Sequence, residues 1–211
     1  MRPVEFQSHR ISDVSDLSKI IKRASVSLRG WDFPHMGTDL PSIQGDWIRS
    51  EVDWEGILES WVFFQSAAFL FLGNFRDDWR DASSLSGSWE GWEIGKFFNV
   101  HDVIFKLTEV YEFATRLIST VPGNGSMIVE VELVGLANRH LYMSSESNRH
   151  MRWQWYKAEL PEVKWGNEYE RTDLMANSRS HATKAALEIF KLFKWDAPEQ
   201  VIKEIQGELR R

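Results

Sequence analysis

Along this 211-residue chain, segments with the hydrophobic spacing of helices alternate with segments that have the spacing of strands. Apolar residues recur every three to four positions between Ser12 and Gly30, over 99–121, and again over 178–210. Such spacing places the apolar side chains on one face of an amphipathic helix. We therefore predict three helical regions, and the last of them is interrupted at Pro198, which suits the first turn of a new helix.

Strand patterns fill most of the remaining chain. Two-residue alternation or short apolar runs predict strands at 3–9, 46–53, 57–65, 67–75, 127–136, 139–143 and 150–160. The runs between 46 and 75 are joined by turns of a few residues, which predicts an antiparallel meander, and the polar stretch 76–95 is interpreted as a long surface loop. The order of elements favours an α+β fold, in which a mainly antiparallel sheet has helices packed on one face. We predict a single domain over 1–211.

Composition narrows the class of protein. Hydrophobic residues make up 43% and charged residues 27%, close to the averages of globular proteins. The absence of cysteine excludes disulfides, thiolate metal sites and a cysteine nucleophile. The longest apolar stretch, 61–75, is shorter than the roughly 20 residues of a membrane span, and the first residues lack a secretory pattern. We expect a cytoplasmic protein without a membrane partner.

The charge and the tryptophan content bear on possible ligands. A net charge of −6 argues against a free-standing binder of duplex DNA, although a local basic patch is compatible with it. Eleven tryptophans lie mostly in strand-like regions. They predict either a sheet rich in aromatic packing or a concave aromatic surface for a ligand.

Sequence motifs for catalysis are missing. The chain has no phosphate-binding or dinucleotide-binding glycine motif, no nucleophile elbow and no HExxH. None of the six histidines is at a close metal-ligand spacing from another, so the sequence predicts neither a cofactor nor a metal. A site could still assemble in space from His140 and His150 with Glu130 or Glu132, if their strands pair. The sequence thus favours a non-enzymatic role without deciding it.

Two pairs of carboxylates favour the alternative hypothesis, a metal-dependent nuclease or hydrolase. Asp77 and Asp78 are adjacent in "RDDWRD", and Glu130 and Glu132 alternate in "VEVEL", with Lys157 further along the chain. Paired carboxylates can hold Mg²⁺ or transfer protons. The competing interpretation is a solvated turn with surface ion pairs and an amphipathic strand with glutamates facing water.

The run "SLRGWDFPHMG" (27–37) is the first candidate binding site. It combines a guanidinium, an indole, a carboxylate and an imidazole; the residues concerned are Arg29, Trp31, Asp32 and His35. They could form a ligand clamp. Alternatively, Trp31 and Phe33 plug the edge of the core while Arg29 pairs locally with Asp32.

A second candidate lies in 139–157, where basic and aromatic residues are interleaved. Arg139, Arg152 and Trp153 could stack on and neutralise a single-stranded nucleic acid or another planar anion. The alternating pattern around Trp153 equally fits a strand whose aromatic residues face the core and whose Arg152 faces water.

Two stretches, "SLRGWDFPH" (27–35) and "LEIFKLFKWDAPEQVIKEIQGEL" (187–209), resemble an uncharacterised bacterial region that accompanies Schlafen-type AlbA_2 DNA-binding domains. The resemblance extends from about residue 10 to the end, and the chain shows no room for an AlbA_2 domain itself. It implies an accessory or sensing module in a bacterial regulatory or anti-phage defence system. It supplies no catalytic residues.

The sequence as a whole predicts a non-catalytic binding or sensing module. Its ligand would be a protein partner or a small anionic or planar molecule. The alternatives are a metal-dependent nuclease or hydrolase, and a binder of single-stranded nucleic acid. The oligomeric state is left open by the sequence.

Overall fold

A computed structural model describes residues 1–37, 41–54, 56–81, 92–143 and 156–209. The helices are α1 (Ser15–Ala24), α2 (Val100–Thr120), α3 (Arg171–Lys191) and α4 (Glu199–Gly207). The strands are β1 (Arg2–Pro3), β2 (Ser42–Gln44), β3 (Trp47–Trp54), β4 (Ile57–Phe64), β5 (Phe69–Gly73), β6 (Phe97–Asn99), β7 (Met127–Val134), β8 (His140–Tyr142) and β9 (Glu162–Tyr169). A 3-10 turn spans Arg76–Asp78.

Helix α2 is the central element, because α1, α3 and α4 all pack against it. The side chain of Asn99 caps it by accepting a hydrogen bond from the His101 backbone N–H at 2.9 Å. Its apolar stripe is buried along nearly the whole length, from Val100 to Ile118. The local sequence therefore specifies this helix almost to the residue, as predicted.

The predicted meander is confirmed as an antiparallel sheet in the order β2-β3-β4-β5. One face of this sheet joins the core, with Trp61 and Phe63 of β4 and Phe69 of β5 buried there. The other face carries side chains exposed to solvent, including Leu70 and Leu72. The alternation along each strand thus follows the pleat.

Two smaller sheets complete the described part of the chain. The first is antiparallel in the order β1-β7-β9, with α3 following β9 and packing against it. The second is a two-stranded parallel pair formed by β6 and β8. The α+β class with mainly antiparallel sheets is confirmed.

Several predicted boundaries were wrong for identifiable reasons. Helix α1 ends at Ala24 instead of near Gly30, because Val26 leaves the helix to pair with Phe33. Helix α3 begins before residue 178, at Arg171, and a kink at Asn177 separates its first turns from the predicted segment. Much of the strand predicted at 150–160 lies outside the described residues.

Among the described residues, no helix combines the length and the apolar composition needed to cross a membrane.

Candidate functional site

A cleft of about 320 Å³ opens between α2, the end of the β3–β4 hairpin, the segment after β5 and the loop 26–35. This volume is at the lower end of the range for small-molecule sites, roughly 300–1,000 Å³. The indoles of Trp31, Trp54 and Trp79 line the cleft. Trp31 and Trp54 keep 49% and 63% of their surface exposed, so their rings are accessible to a ligand.

The loop 26–35, which we call the corner loop, is held at both ends. Val26 and Phe33 exchange two backbone hydrogen bonds, of 3.0 and 2.7 Å, and Phe33 is buried against Phe71 and Phe113. The Trp61 indole N–H donates to the His35 carbonyl at 2.8 Å. Because its ends are fixed in this way, the corner loop presents its remaining side chains from a defined frame.

Arg29 is the best-anchored cation of the cleft. Its Nε and Nη2 donate to the two carboxylate oxygens of Glu109 at 2.9 and 2.6 Å, a bidentate pair, and Asp102 lies 3.8 Å away. The guanidinium carbon is 4.9 Å from the centre of the Trp31 ring. Glu109 on α2 thus orients Arg29, and Arg29 in turn supports the exposed indole by a cation–π contact.

A second ion pair lies at the floor of the cleft. The Lys106 ammonium on α2 donates to Glu59 on β4 at 2.8 Å, and it also lies over the rings of Phe33 and Phe71. Both charged side chains are largely buried. Lys106 is therefore already neutralised, and the pair ties α2 to the sheet beneath the cleft.

The position of Trp79 at one side of the cleft depends on the turn between β3 and β4. Gly56 has φ +88°, and a Cβ there would lie 2.9 Å from the Trp79 ring. Asn74 secures the same turn, accepting from the Leu58 N–H and donating to the Gly56 carbonyl. Only glycine combines this positive φ with so close an approach of an indole.

The Arg76–Asp78 turn is anchored by two carboxylates while Arg76 itself faces solvent. Asp77 accepts hydrogen bonds from the Asn99 backbone N–H at 2.9 Å and from the Tyr142 hydroxyl at 2.7 Å. Asp78 accepts from the Phe75 N–H and pairs with Arg139 at 2.5 Å. In the described part of the chain, the Arg76 guanidinium has no side-chain partner.

Asp77 gives this region a pH dependence. Burial raises the pKa of Asp77 from its ordinary value of 3.8 to about 7, against the opposing effect of the hydrogen bond from Tyr142; the Asp102 and Asp78 charges add to the increase. The folded state therefore holds a proton that the unfolded chain releases between about pH 4 and pH 7. The contribution of Asp77 to stability is therefore fully present below about pH 4 and is lost as the pH rises through about 7.

We expect the free energy of unfolding to decrease by about 2 kcal/mol between pH 5 and pH 7 through this group. Asp77→Asn should flatten that slope in urea titrations at both pH values. Asp13→Asn is the control, since the hydrogen bonds from Ser15 hold the pKa of Asp13 below its usual range, which places its effect at lower pH. An equally steep slope in Asp77→Asn would contradict the assignment.

The structure brings together three of the four residues predicted in the 27–37 run. Arg29, Trp31 and His35 line the cleft, whereas Asp32 is exposed and is not among the lining residues. The alternative interpretation of this run was a packed corner. Phe33 is buried, as that interpretation predicts, but Trp31 is half exposed and Arg29 pairs with Glu109 instead of Asp32.

The second predicted cluster does not meet the first in the described residues. Arg139 is engaged with Asp78 and with the Gly135 carbonyl, so it braces the turn that carries Arg76. Arg152 and Trp153 lie outside the described residues.

The carboxylates of the hydrolase alternative are dispersed. Asp77 and Asp78 have the structural partners given above, and Glu130 on β7 lies 3.5 Å from Lys164 on β9. His150 lies outside the described residues. No group of three histidines or carboxylates suited to a metal occurs in the described ranges.

The remaining cleft residues escaped prediction because they come from elements distant in sequence. Trp54 lies on β3 at a position predicted as a turn, and Lys106 and Asp102 lie on α2 at positions predicted as ordinary helix. The only local signal was the excess of tryptophan.

Comparison of the chain with protein-family models, curated proteins and solved structures returned no match.

Proposed function

We propose that the protein is a non-catalytic binding or sensing module, and that its site is the cleft beside the corner loop. The ligand is a small planar molecule that carries a negatively charged group. The observation that carries the proposal is the combination, in one cleft, of three indoles with the guanidinium of Arg76, which has no side-chain partner among the described residues. Indole faces stack on planar groups, and guanidinium binds carboxylate or phosphate in a bidentate manner.

The pairing of the other charged groups supports a binding role over a catalytic one. Arg29 and Lys106 are held by Glu109 and Glu59 within largely buried ion pairs. Such pairs fix the shape of the cleft before a ligand enters, and a preformed site spends less binding energy on ordering its side chains.

Isothermal titration calorimetry with indole-3-propionate, a planar monoanion, tests the proposal. Trp54→Ala should raise Kd about tenfold or more through lost stacking, and Arg76→Gln should raise it about tenfold through the lost charged hydrogen bond. Both side chains are exposed, so the fold should persist.

The matched controls are Trp47→Ala, at the opposite end of β3, and Arg23→Gln, on α1. Neither residue lines the cleft, and neither substitution should change Kd. Equal losses in the control variants would reject the site. Absence of saturable binding across a panel of aromatic carboxylates and nucleotides would reject the function.

A further inference from the structure

The charges around the cleft cancel. Arg29, Arg76 and Lys106 provide three positive charges; Glu59, Asp102 and Glu109 provide three negative ones. A ligand with several negative charges would meet only one unpaired cation, Arg76, among the described lining residues, and would meet carboxylates besides. The balance therefore favours a ligand whose own net charge is near zero.

Among the described residues, no side chain donates a hydrogen bond to Asp102. It lies in the first turn of α2, with its side chain 23% exposed, and its nearest cation, Arg29, is 3.8 Å away and already pairs with both carboxylate oxygens of Glu109. That distance is within ion-pair range but beyond a hydrogen bond. Within the described ranges, Asp102 accepts no hydrogen bond from a side chain, so a ligand ammonium would supply the missing donor.

The aromatic walls suit both parts of such a ligand. Trp31, Trp54 and Trp79 can stack on a ring. Indole faces also attract an ammonium group within about 6 Å, most strongly where water is excluded. An ammonium beside Asp102 would thus be favoured by a carboxylate and by the aromatic surroundings together.

We propose that the ligand is an aromatic zwitterion, of the kind represented by a free aromatic α-amino acid. Its ring lies among the three indoles, its carboxylate binds Arg76, and its ammonium binds Asp102. This inference rests on the proposed function, since it assigns the ligand class of the same cleft.

Three compounds that share an indole ring test the inference on the unmodified protein. L-tryptophan carries both charges, indole-3-propionate lacks the amine, and tryptamine lacks the carboxylate. In calorimetry, L-tryptophan should bind at least about tenfold more tightly than either analogue, because each analogue leaves one cleft charge without its partner.

Two variants locate the two contacts. Asp102→Asn should remove the preference for L-tryptophan over indole-3-propionate, and Arg76→Gln should remove the preference over tryptamine. Asp16→Asn is the control, since Asp16 occupies the first turn of α1 as Asp102 occupies that of α2. It should leave both preferences unchanged.

The outcomes separate this inference from the proposed function. If indole-3-propionate or adenosine monophosphate binds as tightly as L-tryptophan, the zwitterion is wrong and the planar-anion site stands. If tryptamine alone binds as tightly, the carboxylate contact and the planar-anion site are both wrong. If none of these compounds binds, both proposals are wrong.

Discussion

Phe69→Ala should lower the free energy of unfolding by about 3–5 kcal/mol, the range for removing a buried phenylalanine side chain. Phe69 is 1% exposed, and its ring lies 4.7 Å from Phe113 of α2 and 6.1 Å from Trp61 of β4, centre to centre. It therefore joins the four-stranded sheet to the central helix. Truncation would leave a cavity that rigid aromatic neighbours fill poorly.

Leu70→Ala, at the next position of β5, provides the control. Leu70 is 59% exposed on the opposite face of the same strand, so its truncation should change stability by no more than about 0.5 kcal/mol. Urea unfolding of both variants measures the difference. Similar losses at the two positions would show that β5 does not pack in the orientation described.

The contrast between these neighbours was not predictable, because Phe69 and Leu70 belong to a continuous apolar run that does not show which side of the strand is buried. Helix α2 was predictable, because the cap at Asn99 and a long apolar stripe both lie in consecutive residues. Strand β6 escaped prediction because three buried residues in a parallel pair with β8 show no period.

The candidate site was predictable only in part, for a related reason. The corner loop concentrates unusual residues within a few positions, and three of them, Arg29, Trp31 and His35, do line the cleft. The contact that orients Arg29 comes from Glu109, 80 residues away in sequence. Sequence reasoning offered Asp32 as the local partner because nothing in the pattern points to a carboxylate on a distant helix.

The Arg29–Glu109 pair carries the second large effect. The Glu109 side chain is fully buried and that of Arg29 is 15% exposed. Glu109→Leu keeps a similar volume but leaves the guanidinium with only Asp102 at 3.8 Å. We expect a loss of about 3–5 kcal/mol in urea unfolding, the usual consequence of removing one member of a buried ion pair.

Asp16→Ala is the comparison for an exposed pair. It removes the partner of Lys19 on the surface of α1 and should destabilise the protein far less than Glu109→Leu does, because water screens the exposed pair. A loss from Glu109→Leu that is no larger than this would mean that water, or another group, solvates Arg29 as well as Glu109 does.

The double variant Arg29→Met, Glu109→Leu decides whether the pair stabilises the protein or shapes its site. With both charges replaced by apolar side chains, most of the stability lost in Glu109→Leu should return, because no unpaired charge is left buried. Indole-3-propionate affinity should nevertheless stay reduced, since Trp31 has lost the guanidinium that supports it at 4.9 Å. Recovery of stability without recovery of binding assigns Arg29 to the positioning of the cleft. Recovery of both stability and binding would show that the ion pair is needed for neither, and that the corner loop holds Trp31 through Phe33 alone.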